Sequence, residues 1–489
     1  MAFTAPRTSA QPLGGTMAEQ RLEKTTTQAG VDLYGRLGAA VDGISMRPVH
    51  YKIFALVALG SLFNAIEQYN VGYAGPIIAE QWALSSTAVG LLSTATFIAM
   101  AVGSLLSGIA GDRYGRRVIF MVNLAVFAVG ALLAAVAPSY ETLLAARILV
   151  GLGLGGEIAL GFTVVSEMMP TKRRGTMTAS LSFVAGGIGV FAASGLGALV
   201  LGPMSGILGG EQLAWRWFFA IMVLPAVLIL FIRRYVPETP RYLLQHGKIN
   251  ETNRVLSSLA SNTLRPGKDF EVERFLDVPE GTRPTEDLGK VRLTDIFQGA
   301  VLRSTIVGWL LTLAMFGTIV VLTVFMSTVL VARGFEVGTS LLYTTLINFG
   351  GLLGGLVGIV AASKLPRRLT FISGAGMCAA FAVCFSFSTN AVPAVIFSFL
   401  LAFTFQVLLA NLWAYLPELY PTRLRAFGTG ACSTVGLLAA GLGPLAAGAL
   451  MDGFGEVGVY TLVGGMCVVI AVIATVGPET QGRDLDQVV

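Results

Sequence analysis

The chain has 489 residues, of which 54% are hydrophobic, 59 are glycine and only 12% are charged. That composition excludes an ordinary soluble enzyme and fits a protein crossing a membrane many times. The formal charge of +5 decides little by itself, because its distribution matters more than its sum.

Residues 1–46 carry Pro, Thr, Gln and mixed charge without the apolar core of a signal peptide, and are expected to be a disordered cytoplasmic tail. A crossing helix needs about 20 apolar residues. Twelve such spans are predicted, at 51–78, 87–110, 117–137, 142–165, 175–201, 215–235, 304–330, 340–362, 369–388, 391–415, 427–450 and 457–477. The first six fall in a bundle over 47–240 and the last six in a bundle over 304–478, followed by a tail at 479–489. The polar stretch 241–303 reads as the linker, with helical spacing from Arg241 through Leu259 and a surface turn at Leu293–Phe297.

With the N-terminus inside, 30 of the 33 Lys and Arg lie on the cytoplasmic side. Only Arg216 and Arg333 fall outside, and Arg147 lies within span 4. The positive-inside rule therefore places both termini in the cytoplasm of a cell-membrane protein. Cys378, Cys384, Cys432 and Cys467 all lie in spans and read as small packing residues. Gly151, Gly153, Gly155 and Gly156 mimic a nucleotide fingerprint, but no strand precedes them, so close helix packing accounts for them. No metal site, cofactor or nucleic-acid partner is expected.

One pattern, E-x-x-P-T-[KR]-x-R, occurs at Glu167–Arg174 and again at Glu418–Arg425, 251 residues later. Arg116-Arg117 recurs as Arg367-Arg368 at the same offset, and Pro237-Glu238-Thr239 recurs as Pro478-Glu479-Thr480 at 241. A constant offset means that one half of the chain repeats the other. Two six-helix halves related in this way are the arrangement of a major-facilitator transporter, an all-α membrane fold of two pseudo-symmetric bundles.

The local motifs carry the same resemblance. Gly108-x-x-x-Asp112-Arg113-x-Gly115-Arg116-Arg117 resembles the loop motif of the major facilitator superfamily between spans 2 and 3, and Arg147-x-x-x-Gly151-x-Gly153-x-Gly155 resembles its span 4 motif. Pro237–Arg241 and Pro478–Arg483 resemble sugar-porter signatures. Pro417–Arg425 resembles the niacin, aromatic-acid, organic-cation and synaptic-vesicle-type branch. Span 7, reading Met315 to Phe325, lacks the Gln-Gln motif and downstream Asn of sugar porters, which argues against a hexose. The resemblance implies alternating access driven by a proton gradient, in a protein expected to be monomeric.

Asp112, Arg113, Arg116, Glu167, Arg174, Glu238, Glu418 and Arg425 lie at cytoplasmic helix ends. Glu167 with Arg174, and Glu418 with Arg425, are expected to pair with each other and with Arg113 and Arg116, as a latch between the halves. Exposed pairs contribute only about 0–1 kcal/mol each, which suits a gate that reopens.

Charges inside spans cost roughly 3 kcal/mol or more and are rarely idle. Three occur: Glu67 in span 1, and Arg147 and Glu157 in span 4. Glu67 lies about 16 Å from the outer end of its span and Arg147 about 9 Å below the outer end of its own, so contact is expected. In proton-coupled sugar porters an acid of span 1 faces an arginine of span 4. Arg147 matches that arginine by motif, and Glu67 matches the acid by span and approximate depth. Glu157 lies about 15 Å below Arg147 and has three readings of equal weight: a second proton site, a ligand for a cationic substrate, or a partner of another helix. Asn64, Gln68, Asn70, Tyr343, Asn348, Gln406, Asn411, Trp413 and Tyr415 are the candidate substrate contacts at the midplane. Trp413 precedes Glu418 by five residues, as a substrate-contacting tryptophan does in sugar porters.

The leading expectation is proton-coupled symport of a small organic or aromatic acid. A sugar or polyol is the alternative, followed by drug or metabolite efflux and a non-transporting sensor. No catalytic constellation supports an enzyme.

Overall fold

The computed structural model describes residues 33–264, 270–284, 293–388, 390–421 and 424–480. Among these residues every regular element is helical. Eleven helices are long and apolar enough to cross a membrane. The last, Phe427–Val476, is two spans joined, for it leaves helical geometry at Gly455 (φ +66°, ψ −156°). Glycine alone accepts such a conformation without strain, so the turn between spans 11 and 12 is made inside one nominal helix. Twelve crossings result, as the hydropathy predicts.

Several spans, among them 1, 2 and 4, run longer than expected, with their first turns capped beyond the apolar stretch. Span 1 (Pro48–Trp82) begins with proline at its first turn, where no N–H is missed, and its Val49 N–H donates to Asn262 Oδ1 at 2.9 Å. Span 2 (Ser86–Tyr114) is capped by Ser85, whose hydroxyl accepts from Ala88 N–H. Span 4 (Tyr140–Met168) opens on a reciprocal Ser139–Thr142 cap. Span 6 is expected to be continuous, but it is two helices, Glu211–Ile221 and Ala226–Tyr235, with Pro225 at the junction. The linker helix also differs. It breaks at Gly247 (φ +73°) into Pro240–Gln245 and Ile249–Ala260, where the Gly247 carbonyl accepts from Gly281 N–H.

Part of the expected N-terminal tail is ordered. Leu33–Gly43 forms a helix that buries Leu33, Leu37 and Val41. That i, i+4, i+8 stripe is enough to dock it. Asp42 Oδ1 accepts from Thr171 N–H at 2.6 Å, and the Arg241 guanidinium lies 5.2 Å from the Tyr34 ring centre. The expectation for residues 1–32 lies outside the described residues.

Span 4 binds its half together through glycine. A Cβ on Gly151 or Gly155 would strike the backbone of span 2 at Thr96 or Met100, and one on Gly153 would strike span 3 at Asn123 and Phe127. The glycine run therefore brings Arg147 and Glu157 against spans 1 to 3.

The two halves close on each other at the face opposite the basic loops. Asp452, on span 11, accepts from Ser86 N–H and Thr87 N–H, each at 2.8 Å, and from the Thr87 hydroxyl at 2.6 Å. Gly72 meets the Val324 backbone, the Ser327 hydroxyl donates to the Gly72 carbonyl, and Asn348 Nδ2 donates to the Tyr73 hydroxyl at 3.2 Å.

Candidate functional site

Glu67 and Arg147 form an ion pair through Oε1 and Nη1, with both side chains fully buried. Arg147 Nη2 donates to the Glu67 carbonyl at 3.2 Å, and its Nε donates to Thr96 Oγ1 at 3.0 Å. Its guanidinium lies 5.9 Å from the Phe219 ring centre. Asn70 Nδ2 donates to Glu67 Oε2 at 2.5 Å. Spans 1, 2, 4 and 6 thus enclose the cation on every side. Removing one partner of such a pair costs about 3–5 kcal/mol, since the other charge is left uncompensated.

Nearer the basic face, between the same spans 1 and 4, Asn64 Nδ2 donates to the Leu154 carbonyl at 2.9 Å and to Glu157 Oε2 at 3.3 Å. Glu157 is 1% exposed.

The candidate substrate contacts divide. Asn348 joins Tyr73 across the halves, and Gln406 lies against Gly186 of span 5 and Gly355 of span 8. Gln68 Nε2 contacts Met100 Sδ at 3.5 Å, while Asn64 and Asn70 are committed to the buried acids. Trp413 is 41% exposed and packs edge-on against Phe316. Tyr343 packs edge-on against Phe335. Two residues are placed differently from the midplane site expected. Asn411 accepts from Arg367 Nη1 and donates to the Arg367 carbonyl, and the Tyr415 hydroxyl donates to the Pro478 carbonyl at 2.8 Å. Both residues belong to the charged cluster of the C-terminal half, about one and a half and two and a half turns past Gln406 along span 10.

The interface between the two halves also holds residues that the motifs do not single out. Phe191 and Phe349 meet across it at 5.6 Å between ring centres. Span 5 (Thr171–Leu201) widens to a π-turn at Val184–Gly189, which sets Gly186 and Gly187 against Gln406 and Leu352. Such turns mark functional positions in helices, and the Gly186-Gly187 pair is its sequence signal.

The charged clusters repeat one plan. In the N-terminal half Arg116 pairs with Glu167 and lies 3.4 Å from Asp112, and Glu238 Oε1 accepts from Arg116 N–H and Arg117 N–H at 3.0 and 3.2 Å. In the C-terminal half Arg367 pairs with Glu418 at 2.8 Å, and the Glu479 carboxylate accepts from Arg367 N–H and Arg368 N–H at 2.9 and 3.0 Å. The expected pairing of Glu167 with Arg174 gives way to Arg116, which a helix start delivers to Glu167 from the neighbouring span. Arg113 stacks on Tyr114, and Arg174 Nε is buried without a hydrogen-bond partner. The Arg425 side chain lies outside the described residues. The pairs of Asp112, Arg116, Glu167 and Glu418 each stay within one half; the latch is expected when the basic face closes, and this structure is closed at the opposite face.

Residues 44–489 match the family described as sugar (and other) transporter. The chain belongs to that family. A niacin transporter of Acinetobacter baylyi is 29% identical over 457 residues, covering 92% of this chain and 99% of that protein. The arabinose-proton symporter of Bacillus subtilis is 25% identical, covering 89% and 93%. The xylose transporter of E. coli, in a partially occluded inward open conformation, superposes with a TM-score of 0.69 at 18% identity, over 90% of this chain and all of that one. At that identity the likeness speaks to the fold alone. Family and fold are those of the major facilitator superfamily, and the chain is a multi-pass membrane transporter of the sugar-porter family.

Proposed function

We propose that this transporter couples inward proton flow to uptake of a small organic or aromatic acid by alternating access. The observation that carries the reading is the buried Glu67–Arg147 pair, sealed by Thr96, Asn70 and the Glu67 carbonyl. A proton on Glu67 removes the charge that holds Arg147 Nη1, and leaves that donor for an anionic carboxylate. Proton and acid then bind with positive linkage. The likeness to a niacin transporter, niacin being an aromatic carboxylic acid, supports this substrate class. On this reading the basic face is cytoplasmic, the working unit is a monomer, and the partners are protons, the solute and the bilayer. Asn348, Gln406, Gln68 and Trp413 are the side chains proposed to meet the solute.

The test is uptake of labelled niacin into liposomes carrying the purified protein under an imposed proton gradient. Glu67→Gln abolishes accumulation and retains exchange of labelled for unlabelled solute. Undiminished accumulation in that variant overturns the assignment. A sugar or polyol remains the second reading, for one reason in the geometry: Arg147 is fully enclosed, and a neutral solute asks nothing of it. Uptake of arabinose or xylose without uptake of niacin would select it.

A further inference from the structure

We propose that Glu157 is a second proton-binding site, which holds a proton while Glu67 is paired with Arg147. The inference deepens the proton-symport reading, but its first test does not depend on it.

Glu157 differs from Glu67 in what surrounds it. Both are buried, yet Glu67 has a guanidinium, a backbone-anchored arginine fork and Asn70. Glu157 has one long hydrogen bond, from Asn64 to Oε2, and its Oε1 has no partner. Spans 1, 2 and 3 pack on this stretch of span 4, and they bring Asn64 and Ser61, Ser107, and Asn123 near it. None of these residues is a cation. The charged groups above and below are already paired. Glu67–Arg147 lies ten residues toward the opposite face and Arg116–Glu167 ten residues toward the basic face, each about 15 Å away along the helix. A carboxylate without a counter-charge here would carry the full cost of an unpaired buried ion.

The same packing selects the ligand. A Cβ on Gly60 would fall 2.5 Å from Glu157 Oε1, so span 1 is pressed against the carboxyl at that point. In this conformation span 1 leaves no room for an organic cation beside Oε1, and among the described residues no helix supplies a salt-bridge partner. Asn64 makes Glu157 a hydrogen-bonding partner of span 1, and a proton is the ligand that supplies the charge this neutral partner does not. The ledger of charge also closes: with Glu67 and Arg147 ionised and Glu157 carrying a proton, this part of the membrane core is neutral. In the transport cycle the O–H bond at Glu67 breaks and one forms at Glu157, with water carrying the proton between them. The subsequent loss from Glu157 delivers the proton toward the basic face.

The experiment is infrared titration of the full-length protein in lipid bilayers, without solute, between pH 6 and pH 9. Wild type is expected to show a protonated-carboxyl C=O band at pH 7 that shifts in heavy water and is absent from Glu157→Gln. The isosteric amide mimics the protonated acid, so the variant melts at or above the wild-type temperature at pH 6 and further above it at pH 9. A variant that lacks a carboxylate band instead, with the protonated band intact, overturns the proposal. So does a variant that melts well below wild type at pH 6. In liposomes loaded with a pH dye, Glu157→Gln slows proton release several-fold during niacin uptake while exchange persists; unchanged release removes Glu157 from the proton's route. If Glu67→Gln leaves accumulation intact while the Glu157 band is present, the coupling role of Glu67 falls and the proton site stands; if wild type accumulates no niacin under a proton gradient while the band is present, the symport reading falls and the proton site stands.

Discussion

Asp452 and Thr87 stand 365 residues apart in sequence, yet the Asp452 carboxylate takes both the N–H and the hydroxyl of Thr87, and the Ser86 N–H beside it. The acid of span 11 thus caps the start of span 2 from the other half, at the positive end of that helix. Opening the opposite face must break this cap. Hydrogen bonds to a charged group contribute about 1.5–3 kcal/mol, less where solvent screens them. Asp452→Ala is therefore expected to raise the population open on that face by about tenfold, equivalent to ~1.4 kcal/mol. The measurement is the rate at which an impermeant maleimide labels Thr345→Cys, a position on span 8 that faces Gly195 of span 5 across the halves, in a background with the exposed Cys384 replaced by serine. An unchanged rate would show that the cap does not govern closure.

Glu238 and Glu479 serve as caps of the same kind within their own halves, on the N-termini of spans 3 and 9. Glu238→Ala and Glu479→Ala are each expected to cost about 0.5–2 kcal/mol, the range for losing a helix N-cap. Because the two sites share no partner, the costs should add within about 0.5 kcal/mol in the double variant. Thermal melting in detergent checks this. A double variant no worse than either single would mean that the two clusters are coupled, as a latch would require.

Much of this plan was legible in the sequence, and the repeats show why. Offset-related motifs revealed two equivalent halves, and equal placement of Arg116 and Arg367, Glu167 and Glu418, Glu238 and Glu479 follows from them. The Glu67–Arg147 contact was legible because two charges at matched depth in apolar helices have few other places to go. Partner choice was less legible. The seven-residue spacing of Glu167 and Arg174 invited a local pair, but the chain turns at Pro170, and the start of span 3 brings Arg116 closer. Asn411 and Tyr415 invite a midplane role as polar groups in an apolar stretch, but they lie in the last turns of span 10, which runs on to Glu418 and holds them in the charged cluster. Asp452 had no local signal beyond being an acid at the end of a span, since its partners belong to the other half.

The docked helix Leu33–Gly43 should respond to acid. The Thr171 N–H that donates to Asp42 holds its carboxyl below the ordinary value of 3.8. A carboxylate with a depressed folded value stabilises docking at neutral pH, and that contribution is lost as pH falls through it. Docking is therefore expected to hold from neutral pH down to about 4 and to weaken below. Asp42→Ala should show the weakened state at pH 7, read as several-fold faster amide exchange over 33–43. Equal exchange in wild type and variant at pH 7 would place the docking in Leu33, Leu37 and Val41 alone.

Substrate choice turns on whether Arg147 ever leaves Glu67. If a solute carboxylate takes its place, protonating Glu67 and binding the acid favour each other by the same factor. Niacin affinity should then improve as pH falls from 8 to 5, and Glu67→Gln, which mimics the protonated acid, should bind well across that range with little pH dependence. Arg147→Lys keeps the charge but loses the planar fork that now reaches Glu67 Oε1, the Glu67 carbonyl and Thr96 at once. It should weaken niacin about tenfold or more, the loss of a charge-assisted hydrogen bond of ~1.5–3 kcal/mol, and affect a pentose far less. Isothermal binding of niacin and of xylose to wild type and both variants, at pH 5 and pH 8, resolves the matter. If niacin binds wild type equally at both pH values, or only xylose binds, Arg147 holds no carboxylate, and the neutral-solute reading takes its place.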